Sequence, residues 1–390
     1  MKLDVFAEIQ KAGPVGSGHE ARILRDSIEQ ARAADAAGFG CWWLVEHHGC
    51  EEFSYSSAPE LILAWIASET QRMRVGHAGV LAPFQINHPI RAAERAALLD
   101  HMSGGRLEFG MARSGGREWD TFGVDPERTR DQLAEALRAI PRMWTEERFS
   151  WDSPLLQVPA RNVVPKPLQV PHPPLWQTAL SPASFELAGS LGVGVLGNTL
   201  LTAFEQLEFL LGEYRRGLAH CEEPAGRFRN EQVANFTFVH VADSEKQAVE
   251  SGVCLGAIWY MATMPEVFGA EPENIYAIIR GGLLPDDPSA IRAGGPVREE
   301  APEEELPVID LVKRFAAGDE VTREEAHEVL TAIPSMVVGD PETCRRKLEA
   351  FADLGVDRLM CCMQVGDIAQ VDVLRSIRNV GKHLIPHFDR

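Results

Sequence analysis

Eight short apolar segments alternate with helical ones, and this alternation predicts an α/β fold, a parallel (β/α)8 TIM barrel with a long insertion before the last strand. Two further observations agree. No strand–turn–helix carries G-x-G-x-x-G, so the dinucleotide fingerprint expected of the runner-up, an open doubly wound sheet, is missing. The stretch Cys41–Phe53, CWWLVEHHGCEEF, ends an apolar run abruptly in Glu46-His47-His48. It puts an acid and two imidazoles at the C-terminal mouth of a strand, where parallel α/β folds bind ligands and do chemistry.

The elements follow in order. Lys2–Glu8 is a strand, apolar at Leu3, Val5 and Ala7, and a Gly/Pro/Ser loop covers 13–18. Leu24–Ala37 is a helix, with Leu24, Ile28 and Ala31 at helical spacing and Gly38 as its stop. Cys41–Val45 is the second strand and Leu61–Ser68 the second helix. Met73–Leu81 is the third strand; Gly76 and Gly79 inside it mark a close approach of ligand or backbone. After the helix Ile90–Met102, Ser103-Gly104-Gly105-Arg106 turns the chain into strand four, Leu107–Ala112. A second copy, Ser114-Gly115-Gly116-Arg117, follows that strand, so the first copy falls at the barrel's stability face and the second at its functional face.

Asp125-Pro126 opens the next helix with a cap and a proline at its first position. Residues 149–174 are proline-rich and irregular. Strand five is Leu175–Leu180, and Ser181-Pro182 starts a helix. Strand six is Val193–Asn198, followed by the helix Phe204–Leu218 and strand seven, Val233–Val241, with Asp243-Ser244 capping what comes next. Met261–Glu328 is rich in proline, glycine and acids, including REEAPEEE over 298–305. It reads as one long insertion, a lid or a solvated loop, within a single domain spanning 1–390. The pattern resumes at Val337–Pro341, a helix ends at Gly355, strand eight is Arg358–Met363 and the last helix is Val371–Leu384.

The 390 residues carry a formal net charge of -19, which argues against nucleic acid or an anionic membrane surface as partner. The seven cysteines are odd in number and scattered, with no C-x-x-C, which fits free thiols in a reducing compartment. No apolar run approaches the roughly 20 residues of a membrane span. The N-terminus, MKLDVFAEIQ, lacks the features of a signal peptide. The expected location is the cytoplasm.

Adjacent histidines at a strand end point to opposite faces, so one of His47 and His48 faces the mouth. The bland alternative is that Glu46 pairs with a histidine and both cap the strand. His47 and Glu51 stand at i, i+4, but no third ligand sits at a recognisable spacing and H-E-x-x-H is absent, so no metal site is expected. Arg113, Arg117 and Arg130 cluster after strand four, and Ser181 and Ser184 open a helix. Guanidinium forks and a helix N-terminus both favour a phosphate-bearing ligand; a solvated loop and an ordinary N-cap are the alternatives. Phe84, Trp119, Trp176 and Trp259 suggest a mostly apolar substrate, though core packing explains them as well.

The chain resembles the bacterial luciferase-like flavin monooxygenases, the luciferase α subunit included. The matching residues begin with Glu46-His47-His48, with Glu51 or Glu52 behind them, and Val75–Val80, VGHAGV. They continue with His88-Pro89-Ile90-Arg91, Leu98–Arg106 (LLDHMSGGR), Phe109-Gly110, Phe122–Asp125 (FGVD) and Arg130, and resume at Val338–Glu342, VGDPE. The resemblance implies a barrel that binds reduced FMN and inserts oxygen through a flavin C4a-peroxide. It places the catalytic histidine on His47, a cis peptide beside the flavin ring at Ala78-Gly79, and the phosphate ligands on Arg113, Arg130, Ser181 and Ser184. It also implies a homodimer fed with reduced flavin by a separate reductase.

Departures are visible. Ala112 stands where luciferase has a reactive cysteine, Leu180 replaces a glutamate in the phosphate helix, and the loop Pro83–His88 is two residues longer. Light emission from a long-chain aldehyde is therefore not expected. His47, absent from non-catalytic β-type subunits, favours an active enzyme. Competing readings are a deazaflavin-dependent dehydrogenase on the same barrel and a non-catalytic flavin-binding subunit.

Overall fold

The computed structural model describes residues 1–11, 13, 15–50, 53–281 and 305–388. Glu51, Glu52 and most of the acidic run at 298–305 lie outside the described residues. In chain order the strands are β1 (Lys2–Ala7), β2 (Cys41–Leu44), β3 (Arg74–His77), β4 (Val80–Leu81), β5 (Leu107–Ala112), β6 (Phe149–Asp152), β7 (Gln157–Arg161), β8 (Leu175–Thr178), β9 (Gly194–Asn198), β10 (Val233–Val241), β11 (Val337–Gly339) and β12 (Arg358–Cys362).

The barrel runs β1, β2, β3 with β4, β5, β8, β9, β10 and β12, all parallel, and closes where β12 pairs with β1 at Leu3–Leu359. This is the expected (β/α)8 barrel. The G-x-G-x-x-G spacing does occur once, at Gly192–Gly197, but it runs into β9 itself and forms no strand-to-helix turn.

The barrel floor is a closed polar layer. Arg358 donates to both Asp4 oxygens at 2.7 and 3.2 Å. Trp43 Nε1 donates to Asp4 at 2.8 Å and Trp176 Nε1 to Glu108 at 2.7 Å, while Arg74 pairs with Glu108. Above this layer Phe6 stacks on Phe236 at 4.2 Å. Trp176 is thus part of the buried floor and not of a substrate wall. The first Ser-Gly-Gly-Arg turn keeps its structural part, since Arg106 donates to the carbonyls of Ala67 and Met73 at 2.8 and 2.6 Å.

Strand three is broken in two by a cis peptide at Ala78-Gly79. Here β3 and β5 run closer than side chains would permit. A Cβ on Gly110 would lie 2.2 Å from the His77 carbonyl oxygen, and one on Gly79 would lie 2.7 Å from the Gly110 and Met111 backbone. Of the two glycines flagged inside the strand, Gly79 is needed for backbone approach, whereas a Cβ on Gly76 would lie 2.3 Å from the Trp43 ring.

The helices of the shell include α1 (His19–Ala37), α2 (Pro59–Glu69), α3 (Pro89–Met102), α4 (Gly116–Phe122), α5 (Thr129–Thr145), α6 (Pro182–Ser190), α7 (Phe204–Ala219) and α8 (Glu245–Ser251). Beyond them come α9 (Val253–Phe268), α10 (Pro272–Ile279), α11 (Pro307–Ala317), α12 (Arg323–Thr331), α13 (Pro341–Asp353) and α14 (Gln370–Asn379). Three expectations need correcting. Asp125 caps a short 3-10 turn through Glu127 N, and α5 starts only at Thr129. The region 149–174 is not wholly irregular, because β6 and β7 pair as an antiparallel hairpin. The insertion is largely helical where it is described. A helix with one apolar stripe on an otherwise polar surface is hidden in a composition reading. In α11 that stripe is Val308, Ile309, Leu311 and Val312, all buried.

Candidate active site

Four neighbouring strand ends converge at the C-terminal mouth. The chain leaving β2 carries Glu46, His47 and His48, and β3 meets β4 at Ala78-Gly79. β5 leads into Arg113 and Ser114, and β8 leads into the cap of α6. The pairings β2–β3, β4–β5 and β5–β8 make these ends adjacent.

The two rings part just past β2: His47 lies against Glu118 and Phe53, and His48 against Glu46 and Phe122. His47 Nδ1 lies 3.0 Å from Glu118 Oε1, which also accepts the His48 backbone N–H at 3.1 Å. The second oxygen of Glu118 accepts the Ser114 hydroxyl at 2.5 Å. Ser114 sits at φ 68°, a left-handed turn between β5 and α4. An ionised carboxylate only accepts, so the proton of a neutral His47 belongs on Nδ1 and leaves Nε2 unprotonated.

Burial opposes a charge on His47. The hydrogen bond and charge of Glu118, backed by Glu8 and Glu46, outweigh it and raise the pKa above that of an ordinary histidine. Glu118 moves the other way. Burial favours its protonated form, but His47, Ser114 and the His48 N–H together hold its pKa below the usual range.

His48 supplies the bland reading. Its Nε2 lies 3.1 Å from Glu46 Oε1, and Glu46 also accepts Leu81 N at 3.0 Å and Asn87 Nδ2 at 2.9 Å. One histidine of the pair therefore caps the strand while its neighbour reaches the mouth.

Two residues absent from the sequence reading complete the mouth. Glu8, just past β1, accepts from the Tyr260 hydroxyl at 2.9 Å and from Gln10 Nε2 at 2.8 Å. Burial pushes its pKa up to about 7, against the opposing pull of the His47 charge and these two hydrogen bonds. Tyr260 reaches it from α9, and Phe53 lies against both Tyr260 (4.9 Å) and His47 (5.7 Å). Glu8 was legible by the same logic as Glu46, a carboxylate ending an apolar strand. Glu118 and Tyr260 come from distant segments and have no local signature.

The arginine cluster separates. Arg117 pairs with Glu266 at 2.7 Å, tying α4 to the last turn of α9, so it leaves the anion group. Arg113 donates to the Thr129 hydroxyl at 3.2 and 3.0 Å, which sets it beside Arg130 in the first turn of α5. Ser181 and Ser184 form a reciprocal capping box on α6, their hydroxyls 3.2 Å apart. Thr178 Oγ1, at the end of β8, is buried and has no hydrogen-bond partner among the described residues. Trp119 is buried, its Nε1 donating to the Arg113 carbonyl at 3.3 Å.

An eight-stranded parallel barrel with an acid-held imidazole at its C-terminal mouth is the architecture of a TIM-barrel enzyme. The particular lineage follows from comparison: the chain belongs to the luciferase-like monooxygenase family, whose profile matches residues 1–358. It is 31% identical over 251 residues to the oxygenase component of the flavin-dependent trigonelline monooxygenase of Acinetobacter baylyi, covering 64% of this chain and 67% of that protein.

The fold also superposes on two solved structures. One is the oxygenating constituent of 3,6-diketocamphane monooxygenase from Pseudomonas putida, a type II Baeyer–Villiger enzyme in complex with FMN. The TM-score is 0.70 at 16% identity over 99% and 98% of the two chains. The other is the coenzyme F420-dependent tetrahydromethanopterin reductase of Methanopyrus kandleri, with a TM-score of 0.66 at 19% identity over 99% of each chain. At such identities the likeness concerns the fold alone. Among the described residues no helix is long and apolar enough to cross a membrane.

Proposed function

We propose that this chain is the oxygenase component of a two-component monooxygenase that uses reduced FMN and O2 to oxidise a small, mostly apolar organic molecule. The observation that carries the reading is the His47–Glu118 pair, 3.0 Å apart, at a mouth whose neighbouring strand ends bear Ala78-Gly79, Arg113 and the Ser181–Ser184 cap. These residues fit FMN. Arg113, Arg130 and the two serine hydroxyls suit a phosphate at a helix N-terminus, and the unpartnered Thr178 hydroxyl leaves a buried polar group for a ligand to satisfy. The close backbone approach at Gly79 leaves a flat surface suited to a ring.

Reduced flavin, when bound, supplies the oxygen chemistry. The chain supplies binding and proton control. His47, its Nδ1–H held by Glu118, gives or takes a proton at Nε2. Phe53 and Tyr260 keep water from the mouth, and the described parts of the insertion, 261–281 and 305–328, serve as a lid over it. A separate reductase delivers the reduced flavin.

The test is to mix purified protein with anaerobically reduced FMN, add oxygenated buffer and follow the flavin spectrum by stopped flow. Reoxidation slower than that of free FMN, with a transient spectrum, is expected; reoxidation at the free rate overturns the reading. His47→Ala should leave FMN binding nearly intact and lower turnover by roughly 10²-fold or more. Hydride transfer with a deazaflavin is the competing reading, favoured by the barrel shared with the reductase above. It consumes no O2, so oxygen uptake separates the two.

A further inference from the structure

Cys50 stands at the mouth and has no part in the proposed reaction. One ligand atom each from His47, Cys50 and Glu118 lie within 4.8 Å of one another. We propose that these three side chains form a site for a borderline-soft divalent cation such as Zn²⁺, whose binding switches the mouth off by engaging His47. The inhibitory half of this inference rests on the function proposed for His47; the site itself does not.

A nitrogen, a sulfur and a carboxylate oxygen are the donors zinc prefers, and three protein ligands leave a fourth position for solvent or an anion. Zinc binds such atoms at about 2.0–2.3 Å, so the three donors must close by roughly 1 Å, within reach of side-chain torsions. Glu118 is already held for this role. Its second oxygen accepts from Ser114 and its first from the His48 backbone, an outer shell that orients a ligand. Solvent reaches the cluster past His47, whose side chain keeps 19% of its exposure.

Without a cation, Cys50 is unreactive. Its thiol donates to the His48 carbonyl at 3.4 Å, and burial, followed by the nearby Glu118 charge, pushes its pKa up to about 11. Binding therefore releases the thiol proton to solvent and replaces the Nδ1–H of His47 with metal, its proton moving to Nε2. The carboxylates of Glu8 and Glu46 add negative charge near His47 that favours a divalent ion over the one proton it releases. Sequence spacing paired His47 with Glu51 instead, because Glu118 reaches the site from another strand end.

The test uses the full chain stripped with chelator and titrated with Co²⁺. Expected is a near-ultraviolet thiolate-to-cobalt band with visible bands of tetrahedral intensity, bleached by one equivalent of Zn²⁺. Loss of a mere outer-shell partner costs metal sites about 10–100-fold in affinity, so Cys50→Ser should cost at least that and abolish the thiolate band. Cys50→Ala, which fills the buried position with an apolar group, should do the same. In both variants basal turnover should persist and become insensitive to Zn²⁺, while the parent is inhibited. A parent without the thiolate band, or a band that survives both substitutions, overturns the site. A parent with the band but no oxygenase turnover leaves the site standing and sinks the proposed function instead.

Discussion

Replacing Glu8 with Gln isolates one buried ionisation at the mouth. Tyr260 and Gln10 both donate to the Glu8 carboxylate. Burial nevertheless lifts its pKa from 4.5 to about 7. A folded-state value above the unfolded one means that the folded chain holds its proton longer. The associated stability is fully present below about pH 4.5 and is lost as pH rises through about 7. A displacement from 4.5 to about 7 corresponds to about 3 kcal/mol. His47, whose pKa is also raised, adds a loss of the same sign as pH rises through its folded value.

Glutamine keeps the shape and removes the charge, but one of its neighbours now faces a donor, at a cost of about 1 kcal/mol. At about pH 4, below the unfolded value, the Glu8→Gln protein should be less stable than the parent by about that amount. Near pH 8.5 it should be the more stable by about 2 kcal/mol, the difference between those two magnitudes. Urea unfolding of both ligand-free proteins from about pH 4 to 9, at fixed ionic strength, should show the two curves crossing. Parallel curves over that range would refute a raised Glu8 pKa and with it the idea that the mouth stores a proton there.

Three other outcomes follow from named contacts. Glu118→Gln removes the charge that holds the imidazolium of His47, so the pH–rate profile of turnover should move to lower pH; an unmoved profile would detach Glu118 from His47. Gly110→Ala places a methyl 2.2 Å from the His77 carbonyl oxygen, in a region where neither backbone can yield. It should cost about 1–3 kcal/mol in a denaturant melt, and a neutral result would deny the close β3–β5 approach. Arg358→Met leaves Asp4 buried and unpaired and should cost about 3–5 kcal/mol, read in the same melt.

Most of the barrel was legible because its signal is local. Buried parallel strands read as short apolar runs, and helix stops such as Gly38, at φ 95°, read as glycine. His47 was legible because a polar residue ending such a run has one place to go. The rest depends on contacts that sequence order conceals. Arg117 looked like a third anion ligand until Glu266, from beyond β10, claimed it. Trp176 looked like a substrate wall, yet its parity along β8 turns it down onto Glu108. α4 was missed because a seven-residue helix has too few turns to show a period, and it is α4 that carries Glu118.

The polar groups along the barrel axis divide by the kind of partner they have. At the floor, Asp4 and Glu108 are held by Arg358 and Arg74, and a guanidinium does not give up its proton at any working pH. At the mouth Glu8, Glu46 and Glu118 have partners of another kind. Their partners are His47, His48, Tyr260, Ser114 and amide groups. The carboxylates are therefore held by permanently charged partners at one end of the barrel and by neutral or titratable groups at the other. This predicts a separation of effects: Arg358→Met should lower stability and leave the shape of the pH–rate profile alone, whereas Glu118→Gln should move that profile. If Arg358→Met shifted the profile while the protein stayed folded, floor and mouth would form one electrostatic unit, and the proton control assigned to His47 and Glu118 would have to be shared with the whole barrel interior.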